Sequence, residues 1–466
     1  MVSGYTSTTD ADRAAMLAAI GVASIDELFD GMVPADVRLD RPLDLPDGLT
    51  EAEVHERMRE LASRNADAES EICFLGAGMY DHYVPAIVDA ITSRSEFLTP
   101  YTPYQPEISQ GGLQAMFEFQ TAMSELTGLP LSSAGLYEGP STVAAAGYLA
   151  IAATKRRRFV VSRGVHPHSR ETLRTYSRGY VADVVGVGLS GGLTDVDALA
   201  ATVDDQTAAV FVQYPSFLGG VEDLERLAEI AHASGALLVC ACDPIALGIL
   251  RTPGDCGVDI AVGEGQPLGN RLDYGGPSFG FYAATERHIR KMPGRIAGET
   301  VDADGRRGFV LTLQTREQHI RREKATHNIC TAQALNSLSG MIYLAWLGKR
   351  GLVELGELLV RRTHYARERL TGIDGVEALH EAPVVREFAI RLEAPVEAVL
   401  ERCSAYGIAA GVPLGAEYGE NGLLVAITEG RSREQIDRLA DVLEEAVASA
   451  RAEAGDLREQ TAAGIA

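Results

Sequence analysis

Three stretches carry residues whose types and spacing could do chemistry together. The first, YEGPSTVAAAGYLAIAA, sets Gly139, Ser141 and Thr142 where a helix of small residues opens, and the free amides of a helix N-terminus attract an anion such as a phosphate. The second, LLVCACD, ends an apolar strand on Asp243, at the carboxyl edge where open α/β sheets bind ligands. The third, DIAVGEGQPLGNRLDYGGPSFGFYAA from Asp259 to Ala284, runs from strand to strand through a glycine-rich loop. A phosphate cradle, an acid for a pyridine nitrogen and a lysine for an aldimine are the parts of a pyridoxal-phosphate site. The lysine is missing, because Gln266 and its neighbours stand where it is expected. Each part also has a plainer reading: Gly-Pro-Ser-Thr is a common helix start, Asp243 can cap a turn at Pro244, and Gly275-Gly276 can let backbones approach. The residues alone leave both readings open.

Two other chemistries fail on spacing. EICFLGAGMYDHYVP begins like a dinucleotide fingerprint at Gly76 and Gly78, but Asp81 takes the third glycine's place and Pro85 follows soon after, so a turn needing permissive backbone is the better reading. His166 and His168 are a close pair without a supporting HExxH or cysteine pair; they read as a surface loop turned by Pro167, and no metal is expected. Cys240 and Cys242 share one strand face and read as core.

The elements that must position these residues follow from the apolar pattern. RRFVVSRGV, VADVVGVGL, AAVFVQYP, ALLVCACD, DIAVGEG and FGFYAA read as strands apolar on both faces, alternating with helices near His168–Arg178, Asp195–Val203 and Asp223–Ser234. Such alternation implies an α/β fold with a mainly parallel sheet covered on both sides. A helix from about Leu49 to Arg64 has Thr50 and Glu53 at capping-box spacing. Helical patterns run from about Arg316 to Lys349 and from Gly351 to Thr371, before a smaller α+β unit. The expected organisation is an arm and helix over 1–65, a large α/β domain over 66–345, a small α+β domain over 346–450 and a flexible tail over 451–466.

The 466 residues, 46% hydrophobic, suffice for two cores. A net charge of -23 argues against nucleic acid and against an anionic membrane surface. Its hydrophobic runs are too short or interrupted to cross a bilayer, and no basic residues precede an early apolar run, so a cytoplasmic protein is expected. Six scattered cysteines without C-x-x-C spacing read as reduced thiols. Only Lys155, Lys291, Lys324 and Lys349 are lysines, leaving arginine with 38 of the 42 basic residues. That acidity suits a cell living at high salt.

Several blocks are specific enough to name a family. LTPYTPYQPEISQGGLQAMFEFQTAMSELTGL (Leu98 to Leu129), the Asp259–Ala284 loop, MPGRIAGETVDADGRRGFVLTLQTREQHIRREKATHNICTAQAL (Met292 to Leu335) and GIAAGVPLG resemble glycine decarboxylase, the P-protein of the glycine cleavage system. IGVASIDELFDGMVPADVRL is similar to the start of that family. The length resembles that of the N-terminal half, the α-subunit or subunit 1. The resemblance implies the aspartate aminotransferase fold (fold type I) and no covalently held cofactor in this chain. Pyridoxal phosphate is expected on a lysine of a homologous β-subunit, most simply in an α2β2 assembly. Together the subunits decarboxylate glycine and pass its aminomethyl group to the lipoyl arm of the H-protein. Candidates for the shared site are Tyr101, Tyr104, Gln105 and Glu107, stiffened by flanking prolines. Arg316, His319, Arg321 and Arg322 are candidate contacts to a partner or a carboxylate, and Ser141, Thr142 and Asp243 are candidate relics of a cofactor site. Two alternatives remain at this level: an assembly or regulatory homologue, and an independent enzyme using Lys291 or Lys324.

Overall fold

A computed structural model describes residues 7–39, 41–325 and 333–465. Met1–Ala66 form one compact unit and Asp67–Ala466 a second. The first unit contains helices Asp10–Ile20, Ile25–Asp30 and Glu51–Ala62, none with a buried residue. Their starts are set by side-chain caps. At Thr50, Oγ1 accepts from the Glu53 amide at 3.4 Å while the Glu53 carboxylate accepts from the Thr50 amide at 2.8 Å, the reciprocal box expected from the sequence.

The second unit is built on a seven-stranded sheet in the order Leu131–Ser132, Gly280–Ala284, Ile260–Glu264, Leu237–Cys242, Thr207–Tyr214, Arg158–Ser162 and Asp183–Val187. The last five are mutually parallel, and Gly280–Ala284 runs antiparallel to both its neighbours. Alternate residues feed two different cores, which is why the strands read as apolar throughout. Val160, Val210, Val212, Leu238 and Cys240 join a cluster with helices Gln110–Thr127, Leu224–Ala233 and Ala334–Thr371. Phe159, Val161, Phe211 and Val239 face helices Gly139–Thr154 and Pro167–Tyr180. The mainly parallel, doubly covered sheet expected from the sequence is present.

A four-stranded antiparallel sheet, Val376–Ala378, Glu387–Leu392, Gly422–Ala426 and Val412–Pro413, packs with helices Val396–Ala405 and Arg433–Ile465 around a third core. Helix Ala334–Thr371 serves both sheets: Ile342, Tyr343 and Leu355 enter the first core, Ala366 and Leu370 the third. It breaks at Gly348, whose φ of 60° and ψ of 176° are non-helical, close to the division at Lys349 read from the sequence. The start is corrected. Arg316 ends a single 3-10 turn, Gln314–Arg316, and a second covers Arg322–Lys324. Between Arg316 and Lys324 only Ile320 is strongly apolar, so no stripe exists to hold a helix against a core. An antiparallel hairpin, Ile296–Val301 with Arg307–Thr312, was not anticipated; Ala297, Phe309 and Leu311 pack it on Leu113. Among the described residues, no helix is long and apolar enough to cross a membrane.

The small sheet is seated against the large one at Gly219. Its φ is +93°, and a Cβ there would lie 2.0 Å from the Glu387 carbonyl oxygen. Gly219→Ala therefore combines left-handed strain with a backbone clash and should lower the unfolding free energy by about 2–4 kcal/mol. Urea denaturation measures this, and an unchanged midpoint would refute the seating.

Candidate functional site

A cavity of about 360 Å³ opens at the carboxyl ends of the parallel strands, with His166, Gln213, Asp243, Glu264, Arg386 and Glu387 among its walls. Asp243 directly follows strand Leu237–Cys242, which places it where the sequence expected. Its partner is a side chain. Arg386, just before strand Glu387–Leu392, meets it twice, Nε to Oδ2 at 2.6 Å and Nη2 to Oδ1 at 2.6 Å. Asp243 Oδ1 also accepts from the Ile245 amide at 3.0 Å, so the turn-capping reading holds as well. The Arg386 guanidinium lies 3.5 Å from the Tyr80 ring centroid. Burial opposes its charge, but Asp243, Tyr80 and Glu387 outweigh burial and hold its pKa above that of ordinary arginine. Glu387 accepts from Tyr80 Oη and from the Ala77 amide, each at 2.7 Å; burial, the largest effect, nevertheless raises its pKa.

Gln266 occupies the lysine's expected place and is fully enclosed. Its Oε1 accepts from the Tyr80 amide at 2.9 Å, and its Nε2 donates to the carbonyls of Tyr80 at 3.0 Å and Asn270 at 2.9 Å. A neutral amide satisfies all three groups, which an ammonium with no acceptor cannot do.

The helix mouth at Gly139 is likewise filled from within. The Gly139 amide donates to Glu264 Oε2 at 2.9 Å, and the Ser141 amide to Glu138 Oε1 at 3.2 Å. Ser141 Oγ and Thr142 Oγ1 turn back onto the carbonyls of Glu138 and Gly139 at 3.0 and 2.5 Å. Burial raises the Glu264 pKa, and bonds from Gly139, Ser278 and Gln266 only partly offset it. A phosphate would meet two carboxylates where it needs donors. With Gln266 for lysine and Arg386 already on Asp243, the residues of this chain do not fit pyridoxal phosphate.

The histidines are a correction. His166 and His168 do not form a plain surface loop; both line the cavity. His166 caps helix Pro167–Tyr180, with Nδ1 accepting from the His168 amide at 3.0 Å and Nε2 lying 2.9 Å from the Ala77 carbonyl. That pattern requires the proton on Nε2. Burial, reinforced by His168, pushes its pKa down to about 4. Gly76, in the failed dinucleotide motif, serves close approach: a Cβ there would lie 2.3 Å from Glu387 Oε1. No group of metal-binding side chains occurs among the described residues.

The remaining predicted residues whose side chains are described gather elsewhere, and none of these lines the cavity. Tyr104 meets His319 edge-on, centroids 4.6 Å apart, and its hydroxyl lies 3.3 Å from Arg295 Nη2 and 3.5 Å from Glu317 Oε2. Buried Arg295 and Glu317 pair at 3.5 Å beneath it. The two candidate segments thus meet at Tyr104 and His319. Tyr101, Gln105 and Glu107 are exposed on the same loop, and Arg321 and Arg322 are exposed beyond His319. The Arg316 side chain lies outside the described residues. Sequence reasoning missed Glu264 and Arg386. The signal was there: VVREFAIRL sets Arg386 and Glu387 side by side, so that on a strand one of them must face the core, and buried charges require partners.

Solved structures with this fold include a glutamate decarboxylase from Lactobacillus brevis CGMCC 1306 (TM-score 0.69, 13% identity, covering 89% of this chain and 96% of that one). A sphingosine-1-phosphate lyase from Burkholderia pseudomallei K96243 matches with TM-score 0.66 and 15% identity, covering 92% and 98%. The architecture is that of the pyridoxal-phosphate-dependent fold type I enzymes. Within that class, residues 3–443 match the family described as glycine cleavage system P-protein. The chain belongs to that family, as its sequence blocks suggested. It is 51% identical over 445 residues to the probable glycine dehydrogenase (decarboxylating) subunit 1 of Geotalea uraniireducens (strain Rf4), covering 95% of this chain and 100% of that one. The corresponding subunit 1 of Geobacillus kaustophilus (strain HTA426) is 47% identical, covering 95% and 99%. A crystal structure of glycine decarboxylase (P-protein) of the glycine cleavage system, in inhibitor-bound form, matches with TM-score 0.89 at 44% identity, covering 95% and 99%.

Removing one member of the buried pair strands the other. Arg386→Ala should cost about 3–5 kcal/mol in urea denaturation, and adding Asp243→Asn should restore part of it by removing the stranded charge; strictly additive losses would contradict the coupling. His166 supplies a pH test. Its pKa is about 4 in the fold against 6.5 for an ordinary histidine, so between these values the unfolded chain binds the proton more readily. Stability from this group is complete above the upper value and is lost as pH falls through the lower. His166→Gln should flatten that acid slope, read as the difference in denaturation midpoints between about pH 7 and about pH 4.

Proposed function

We propose that the chain works as subunit 1, the subunit without the Schiff-base lysine, of a two-chain glycine dehydrogenase (decarboxylating) of the glycine cleavage system. The observation that carries this reading is Gln266, enclosed and fully bonded where a Schiff-base lysine would stand. The cofactor then belongs to a homologous partner chain, the β-subunit, whose lysine binds pyridoxal phosphate. Bound there, the cofactor supplies the electron sink for loss of carbon dioxide from glycine. The residues of this chain shape and close the shared site, from which the aminomethyl group passes to the lipoyl arm of the H-protein. An α2β2 assembly satisfies closed symmetry, and the charge of -23 suits a salt-rich cytoplasm.

The Tyr104 cluster supports a contribution to that shared site. Its ring is fixed by His319 and by Arg295, 5.7 Å from the centroid, while Tyr101, Gln105 and Glu107 present polar groups outward from the same loop. A rigid base carrying exposed polar side chains is what positioning of a small substrate or a partner segment requires. Arg321 and Arg322 beside it offer cations to a carboxylate.

Borohydride reduction of the complex of both chains, followed by mass spectrometric mapping of pyridoxyl-lysine, tests the division of labour. The label is expected on the partner chain. Label on Lys291 or Lys324 would overturn it and make this chain a catalyst in its own right. In the unreduced complex, Tyr104→Phe is expected to lower glycine turnover with the assembly intact on size exclusion; loss of assembly with unchanged turnover per complex would favour a purely scaffolding role.

A further inference from the structure

A second cavity, of about 380 Å³, includes Thr154, Arg156, Gly235, Arg287, His288 and Lys291 in its walls. Arg156 precedes strand Arg158–Ser162, Gly235 precedes strand Leu237–Cys242, and the turn Glu286–Lys291 follows Ala284, which pairs with Ile260 at the start of its strand. The cavity therefore sits at the amino edge of the sheet, opposite the first one. A six-residue strand separates the two edges by about 20 Å.

Its charge runs against that of the molecule. In a chain of net charge -23, three permanent cations line this cavity and no carboxylate does. Arg156 is held in place by carbonyls, its Nη1 donating to Thr207 at 3.1 Å and Ser234 at 2.6 Å. Neither Arg156 nor Lys291 has an ion pair among the described residues. Arg287 bonds the buried Asp259, which also binds His232 Nε2 at 2.9 Å and the Leu238 amide at 2.9 Å. One carboxylate behind the wall thus offsets one of three cations.

His288 adds an unsatisfied group. It is 4% exposed, and its Nε2 accepts from Arg287 Nε at 3.3 Å. Burial, then Arg287, lowers its pKa, so the ring is neutral and carries its proton on Nδ1. That atom has no hydrogen-bond partner among the described residues. Two guanidiniums, one of them fixed, and an ammonium without an ion pair surround one hollow whose wall includes the buried His288 ring, and such cations form the donor set that a multivalent oxyanion takes. The volume is that of a small organic ligand rather than a bare ion.

We infer that Arg156, Arg287, His288 and Lys291 form a binding site for a small phosphate-bearing anion, separate from the cavity at the carboxyl edge. Isothermal titration of the full chain at low salt, with pyrophosphate and with adenosine monophosphate as probes, tests it. Saturable binding of either probe at one site per chain is expected, weakened by about tenfold or more in Lys291→Glu and unchanged in Lys349→Glu, which alters net charge equally on an exposed helix position. Tighter binding of the nucleotide identifies an organic phosphate ester, tighter binding of pyrophosphate an inorganic ligand, and both support the site. Absence of saturable binding to the wild-type chain, or equal weakening by the two substitutions, overturns it. Arg287→Ala, followed with thermal melting, repeats the test from a second wall.

Discussion

The buried pair between Arg386 and Asp243 is the constraint on which the arrangement of the larger unit depends. Asp243 directly follows a strand of the seven-stranded sheet and Arg386 directly precedes a strand of the four-stranded one, so a two-point contact at 2.6 Å pins one sheet to the other. Neither charge is tolerable alone in that setting. Tyr80, stacked on the guanidinium and clamped at its backbone by Gln266, draws the Gly76–Tyr80 loop into the same knot. Close packing follows from it. Gly76 and Gly219 lack side chains because Glu387 passes within the space a Cβ would need.

The same region shows how a fold built for a charged ligand can be balanced without one. Each ligand charge has a counterpart among the side chains: Glu264 and Glu138 receive the helix amides, Arg386 neutralises Asp243, and Gln266 ties off the loop. The cost of burying these groups is visible in the raised pKa values of Glu264 and Glu387, each chiefly from desolvation. Family membership and a lysine-free pocket are therefore compatible. The shared architecture supplies the frame, and the local residues decide which charges it contains.

How far the sequence could be read depended on whether a signal was local or long-range. The parallel strands were legible because burial on both faces leaves continuous apolar runs such as AAVFVQYP, and the Thr50–Glu53 cap because its partners are three residues apart. The position of Asp243 and the helix opening at Gly139 were legible for the same reason. What filled them was not, since Glu264 lies 125 residues from Gly139 and Arg386 lies 143 from Asp243. The segment after Arg316 misled because charged residues of good helix propensity say little where no apolar stripe accompanies them. His166 was assigned to solvent for want of a visible partner, which turned out to be the Ala77 carbonyl, 89 residues away.

The internally satisfied helix mouth bears on how such a subunit lives in the cell. A protein whose native state binds a cofactor gains stability with cofactor supply; here the carboxylates of Glu264 and Glu138 travel with the polypeptide. Under the proposed division of labour, the stability of this chain by itself does not rise with cofactor supply.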